Sequence, residues 1–417
     1  MTEELKARIA QINAGTAPAG YKKTKVGIVP EEWEVQKTKK VCSAIIAGAT
    51  PSTGVAEYWN GTIQWMSSGE INKKVITGTD TRITQAGYDS CSTKMIPKHC
   101  VLMALAGQGK TRGMVAYNTV SVCTNQSLAA LIPESVDYLF LYYYFDTQYT
   151  NLRKLSSGDG TRGGLNLDLI SNYYVPLPPL PEQQKIAEIL TAQDAVIALL
   201  QKRIELKQQQ KKALMQKLLS GELRVGDGEW ITVKLGKLFS ERSEQHCESL
   251  ELLAITGKYG VIPRSQLDTK DNSSEDKSKY LKICKGDIGY NTMRMWQGVS
   301  AYSNYTGIVS PAYTILVPAE QIDALYFAYL FKTPKLISLF YRFSQGLVDD
   351  TRSLKYQNFK QISVRFPKEK TEQRKIAEIL SAQDNEIELL QLQLALEQQK
   401  KKALMQLLLT GKVRVKT

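Results

Sequence analysis

The chain has 417 residues, enough for two to four domains at roughly 100–200 residues each, and 43% hydrophobic with 23% charged residues is too apolar for a disordered chain. It has no run of 18 apolar residues and its first ten residues are charged, so the expectation is a cytoplasmic protein without a membrane span or secretory signal. Its 54 basic against 41 acidic residues give a net +13, spread along the chain, which suits a protein lying along a polyanion, nucleic acid foremost.

Two histidines, His99 and His246, are few for acid–base or nucleophilic chemistry, and each reads more readily as structural. The six cysteines contain no C-x-x-C pair, which argues against structural zinc and leaves reduced, core-filling thiols.

In chain order, residues 1–19 carry a short amphipathic helix over residues 2–13. Residues 20–181 read as a first mixed α/β domain, rich in Gly, Ser, Thr and Tyr, with short β-branched runs such as Val115 to Val122. Within it, Ala104-Leu105-Ala106-Gly107-Gln108-Gly109-Lys110-Thr111 fits a relaxed phosphate-loop pattern. A true phosphate loop runs from a strand into a helix whose N-terminus holds the phosphate. Here Arg112 to Tyr117 reads as a second strand, so a strand–loop–strand carrying Lys110 and Arg112 toward a nucleic-acid backbone or base edge fits better. A second basic, glycine-rich cluster, Ser156 to Gly164, presents Arg162, although an ordinary surface turn would look the same. Ser68 completes the first domain's candidate contacts.

Residues 182–225 and 372–415 match at a constant offset of 190 with 29 identities in 44 positions. From Glu182 to Ser220 and from Glu372 to Thr410 there is neither Gly nor Pro, and Leu, Ala, Gln, Lys and Glu dominate. Pro181 and Thr371 suit helix starts, and Gly221 and Gly411 suit stops, so each copy is a rod of about 57 Å. Apolar residues recur at alternating steps of four and three: Ile186, Leu190, Ile197 and Leu200 in one copy, Ile376, Leu380, Ile387 and Leu390 in the other. Polar residues interrupt the seam at Gln193, Lys207 and Lys211, and at Gln383, Glu397 and Lys401, as in a coiled coil whose register is fixed by its interruptions. The expectation is an antiparallel pair of the two copies. Two helices docked separately on their own domains is the plainer alternative.

Residues 226–371 read as a second mixed α/β domain, and residues 372–417 as the second helix with a short tail. Both domains open on a tryptophan, Trp33 standing 149 residues before Glu182 and Trp230 standing 142 before Glu372, although their middles share little sequence. The run Asn291 to Gly298 interleaves Arg294, Trp296 and Gln297, and arginine and glutamine are residues that read guanine and adenine edges. Trp296 reads equally as core or contact. Arg352 stands in the loop Ser344 to Arg352, the counterpart of the Arg162 loop. There is neither a glycine-rich methyltransferase motif with an Asn/Asp-Pro-Pro-Tyr/Phe tetrapeptide nor a helicase motif set, so the chain reads as a recognition module without catalytic residues or a bound metal.

The stretches Gly20 to Trp33, Tyr58 to Trp65, Val175 to Gln183, Gly286-Asp287-Ile288 and Val309 to Tyr313, in this order and with the duplicated helix, resemble the specificity subunit of Type I restriction–modification enzymes over essentially the whole chain. The second copy departs from the family's proline-rich helix entry, reading Phe366-Pro367-Lys368-Glu369-Lys370-Thr371. The resemblance implies an α+β architecture of two target-recognition domains joined by two long helices with an internal pseudo-two-fold repeat. Each domain would read one half of a bipartite sequence in double-stranded DNA. The helices would set the spacer and dock two methyltransferase (modification) subunits, which restriction/translocase subunits join. S-adenosylmethionine, ATP and Mg²⁺ would then belong to those partners, with no cofactor in this chain. A methylation-only system using the same reader, and a coiled-coil protein scaffold without a DNA role, are the alternatives.

Overall fold

A computed structural model describes residues 2–107, 110–155, 164–257, 260–268 and 273–416. The chain forms two compact units, one of residues 1–200 with 393–417, the other of residues 201–392. Two long helices, a central one over Leu180–Ser220 and a C-terminal one over Lys370–Leu408, therefore contribute one part to each unit. Glu3–Asn13 forms a short helix capped by Thr2.

In the first unit the main sheet runs in the order Cys42–Ala47, Leu128–Pro133, Val101–Ala104, Val115–Asn118, Val75–Ile76. In the second it runs Phe239–Arg242, Tyr313–Pro318, Ile288–Asn291, Ser300–Tyr302. The first four strands of one sheet match the four of the other in order and in antiparallel pairing. The same sheet is thus built twice from sequences with little in common.

These strands are buried on both faces, and alternation divides their side chains between two cores. Val101, Met103, Val115, Ala129 and Leu131 face the helix Tyr138–Thr147, whereas Leu102, Ala104, Ala116, Leu128 and Ala130 face Ile71, Ile76 and Ile96. In the second unit Ile288, Tyr290 and Leu316 join one core while Ile283, Ala301 and Ile315 join the other.

The helix that follows each sheet is tied to a long helix in the same way. Asp137 caps Phe140 N–H at 2.9 Å and its own N–H donates to Gln183 Oε1 at 2.8 Å. Asp323 caps Tyr326 N–H at 2.9 Å, and its N–H donates to Gln373 Oε1 at 2.8 Å. Gln183 and Gln373 are the same position of the repeat.

The helices pair antiparallel within each unit. In the second, Lys207 meets Glu386 at 2.7 Å and Lys211 meets Asp384, so the C-terminal helix retreats as the central helix advances. In the first, Gln193 Nε2 donates to Glu397 Oε2 at 2.6 Å and Lys401 meets Asp194 at 2.6 Å. Five of the six polar interruptions in the seam, Gln193, Lys207, Lys211, Glu397 and Lys401, carry these cross-helix bonds. Asp194–Lys401 and Asp384–Lys211 are the same pair under the repeat, and each aspartate also accepts a tyrosine hydroxyl, from Tyr143 at 2.8 Å and from Tyr329 at 2.7 Å.

Ile186 and Leu190 are fully buried in the first unit's core together with Met405, Leu408 and Leu409. Ile376 and Leu380 are fully buried in the second unit's core with Leu218 and Leu219. Ile197 is half-buried, and Leu200, Ile387 and Leu390 are buried. The seam near each helix start therefore serves its own domain and the helix pair at once, merging the two arrangements considered from sequence.

The two opening tryptophans close the same joint. Trp33 Nε1 donates to Glu182 Oε2 at 3.1 Å, and Arg414 grips that carboxylate through Nε at 2.6 Å and Nη2 at 2.8 Å. Trp230 Nε1 and Arg224 Nε donate to Glu372 Oε1 at 3.4 and 3.1 Å. Gly221 and Gly411 turn the chain at positive φ, +81° and +68°. A Cβ on Gly411 would run into Pro30, and one on Gly221 would press Trp230, so both helix stops are also close approaches.

Candidate nucleic-acid interface

Lys110 and Arg112 lie between strands Val101–Ala104 and Val115–Asn118 of the first unit, the strand–loop–strand expected from sequence, and Gln108 and Gly109 lie outside the described residues. Arg294 and Gln297 lie between strands Ile288–Asn291 and Ser300–Tyr302 of the second. These are corresponding hairpins of the duplicated sheet. The correspondence is invisible in sequence because the two loops share no motif; only the strand order exposes it.

Each loop leans on the second of the two helices that follow the sheet, Tyr149–Leu155 in one unit and Pro334–Phe343 in the other. In the first unit Lys110 is exposed while its carbonyl accepts the Tyr149 hydroxyl at 2.6 Å. The Arg153 guanidinium lies 5.5 Å over the Tyr149 ring and donates to its hydroxyl at 3.2 Å and to the Arg112 carbonyl at 3.5 Å. The backbone of the loop is thereby held while the Lys110 ammonium faces water.

In the second unit Arg294 and Gln297 are exposed around the turn Met295–Gln297. Trp296 donates Nε1–H to the Met293 carbonyl at 3.0 Å and meets Tyr341 edge-on at 5.8 Å, so it is half core and half surface. Arg352 stacks on the other side of this arrangement, 4.0 Å from the Tyr341 ring centroid, with Nη2 3.1 Å from the Tyr341 hydroxyl and Nε 3.3 Å from Asp349. The structure thus brings Arg294, Gln297 and Arg352 to one patch through Trp296 and Tyr341. Arg352 is turned back onto its own loop and must leave Asp349 to reach a ligand.

Lys332 lies beneath this turn. Its ammonium donates to the carbonyls of Gly298 at 2.6 Å and Ser300 at 2.5 Å. Burial, with Lys211 nearby, pushes its pKa down to about 8.

Ser68 stands partly exposed at the start of the turn Ser68–Lys73, which packs against the two strands framing the Lys110 loop. The turn is held by Glu70, whose carboxylate accepts Ser67 N–H at 3.1 Å and Asp80 N–H at 2.9 Å and pairs with Lys73 at 2.8 Å. Arg162 lies outside the described residues. Tyr149, Arg153, Tyr341 and Lys332 escaped the sequence reading. Nothing local marks them; they act on loops some 30–45 positions away.

Duplicated α+β units, each offering the same hairpin with basic side chains, mark a nucleic-acid-binding protein built on a helical scaffold. Residues 30–208 and 227–398 match the family described as Type I restriction modification DNA specificity domain. The chain is 26% identical to the MjaX specificity subunit of Methanocaldococcus jannaschii, covering 95% of this chain and 97% of that protein. It is 30% identical to the MjaIX specificity subunit of the same organism, and 27% identical to the EcoR124I/EcoR124II specificity subunit of Escherichia coli. Those two alignments span 41% and 47% of the respective relatives, less than half of their length. The crystal structure of a type I restriction–modification S subunit from M. genitalium has the same fold, with a TM-score of 0.57 at 17% identity, covering 92% of this chain and 96% of that one. The chain belongs to the type I restriction–modification DNA specificity family. Its part in such a system is recognition of DNA, and it is not itself catalytic. Among the described residues no helix is long and apolar enough to cross a membrane.

Proposed function

We propose that each domain reads one half of a bipartite target in double-stranded DNA, through the Lys110–Arg112 hairpin in one and the Arg294–Gln297 hairpin in the other. The observation that carries this reading is that unrelated loop sequences place basic side chains, Lys110 and Arg112 in one and Arg294 in the other, on the same hairpin of a twice-built sheet. A shared scaffold with divergent loops is what two different half-sites require. Lys110, Arg112, Ser68 and Arg162 serve the first half-site; Arg294, Gln297 and Arg352 serve the second.

The paired helices set the spacer and dock two methyltransferase subunits, which restriction/translocase subunits join in the cytoplasm. S-adenosylmethionine, ATP and Mg²⁺ belong to those partners. The outer faces support docking: Leu199 is 71% exposed, Leu389 67% and Leu396 64%, on helices that otherwise carry charge outward. Binding of the full chain to duplex DNA, titrated against salt, tests the reading. Affinity should fall steeply from 50 to 200 mM salt, with a slope that lessens by about one for each phosphate-contacting lysine removed. A chain that assembles with a methyltransferase but shows no salt-sensitive DNA binding would be a protein scaffold instead.

A further inference from the structure

In each unit the end of a long helix, the helical pair after the sheet and the last strand enclose a groove. The repeat places Leu409 and Thr410 on one groove where Leu219 and Ser220 line the other. Pro176 and Arg365, which occupy the same register of the last strand, face them.

The units finish this groove differently. In the first, the hairpin Tyr21–Thr24/Gly27–Pro30 forms a wall with Val26, Ile28 and Val29, leaving a cavity of about 460 Å³. Tyr21 fastens the hairpin by donating to the Gly411 carbonyl at 2.9 Å, and Val29 is 2% exposed. In the second, no strand occurs between Gly221 and Trp230, so no hairpin walls the groove, and the cavity is larger, about 640 Å³. Its floor is Met215, Leu219, Leu336 and Leu339. Its rim carries the exposed cations Lys212, Lys335 and Arg365, and no acidic residue lines it.

We propose that the open groove of the second unit is a docking site for an acidic segment of a protein partner, which lays a bulky apolar side chain on the Leu219–Leu339 floor and sets carboxylates on the Lys212–Lys335–Arg365 rim. The first unit fills the same place in cis with its own hairpin. That hairpin carries Lys22, Lys23 and Lys25, so a second copy of this chain would bring like charge to the rim. A DNA phosphate would satisfy the rim but leave the apolar floor in water, whereas a peptide side chain covers both. Lys332 lines this cavity and also holds the Arg294–Gln297 hairpin through the Gly298 and Ser300 carbonyls, so the proposal is tested at the other rim cations.

The probe is a peptide of residues Gly20 to Glu31 carrying Lys22→Glu, Lys23→Glu and Lys25→Glu, cyclised head to tail. Its ends are already adjacent, since Glu31 N–H donates to the Gly20 carbonyl at 2.9 Å. Fluorescence anisotropy with the full chain should show saturable one-site binding, at least tenfold tighter than that of the unaltered lysine peptide. Lys335→Glu with Arg365→Glu should weaken it at least tenfold without changing thermal unfolding, because both side chains are exposed. Leu339→Lys should also weaken binding at least tenfold, through the floor, at some cost in stability because Leu339 packs against the core. Absence of saturable binding, or binding indifferent to both variants, overturns the proposal. So does a double variant that loses affinity for a short duplex of unrelated sequence while peptide binding stays intact, since the rim would then be a phosphate contact.

Discussion

At the scale of single residues, the exposed readers and their supports separate cleanly. Arg294 and Gln297 point to solvent from a turn held by Lys332, Trp296 and Tyr341. Replacing Arg294 or Gln297 by Ala should cost about 1–3 kcal/mol of specific binding and relax one half-site only, read by competition among single-base variants of the target. Replacing Lys110 by Ala should weaken all duplexes alike if it contacts phosphate. Lys332 gives a pH signature of its own. Its pKa, lowered by burial from 10.5 to about 8, means that the unfolded chain binds more protons than the native one between those values. Stability should therefore rise with pH across roughly pH 8 to 10.5 as the burial cost of the charge is relieved, and Lys332→Met should remove that slope in denaturant titrations. The signal for such residues lies in three dimensions: Tyr149 grips Lys110 from 39 positions away, and no spacing rule anticipates it.

At the scale of elements, the helix seam was the most legible part of the chain. Its alternation of four and three predicted a paired helix, and the polar interruptions at Gln193, Lys207, Lys211 and Lys401 proved to be the cross-helix bonds. The opposite charges Asp194–Lys401 and Asp384–Lys211, one pair under the repeat, hold the antiparallel register. The joint at each domain entry was legible only as a spacing. That Trp33 precedes Glu182 by 149 residues gave no hint that its indole shares the carboxylate with Arg414, because the arginine arrives from the far end of the chain. Glu182 is 2% exposed, so Arg414→Ala strips a buried carboxylate of its cation and should cost about 3 kcal/mol in equilibrium unfolding. Asp384→Ala should cost about 1–2 kcal/mol, as it leaves the half-buried Tyr329 hydroxyl and Lys211 without this partner, and Asp194→Ala should cost less, because the Tyr143 hydroxyl keeps Thr191 at 3.2 Å. Polar replacement of Ile197 and Ile387 should loosen discrimination among spacer lengths or abolish assembly, measured by binding to half-sites set at different separations. On the outer faces, Leu392→Glu with Leu396→Glu should release a co-purified methyltransferase while leaving thermal stability unchanged, since these side chains are 57% and 64% exposed.

At the scale of the whole molecule, one scaffold is written twice and two readers are written once each. Repeat identity concentrates where Asp, Lys, Gln and Glu must meet fixed partners, and it vanishes in the loops, where each domain meets its own ligand. The helix pairing was therefore recoverable from periodicity, whereas the sheet correspondence was not, because strands buried on both faces tolerate any apolar residue of fitting size. The central claim is that the two hairpins read two halves of one target at a fixed separation. Selection of bound sequences from a random duplex library, with the chain co-purified with its methyltransferase, tests it most directly. The account predicts two short motifs enriched at one constant separation, with Arg294→Ala degrading only one of them. A single motif, two motifs at variable separation, or no enrichment from an intact complex would contradict it.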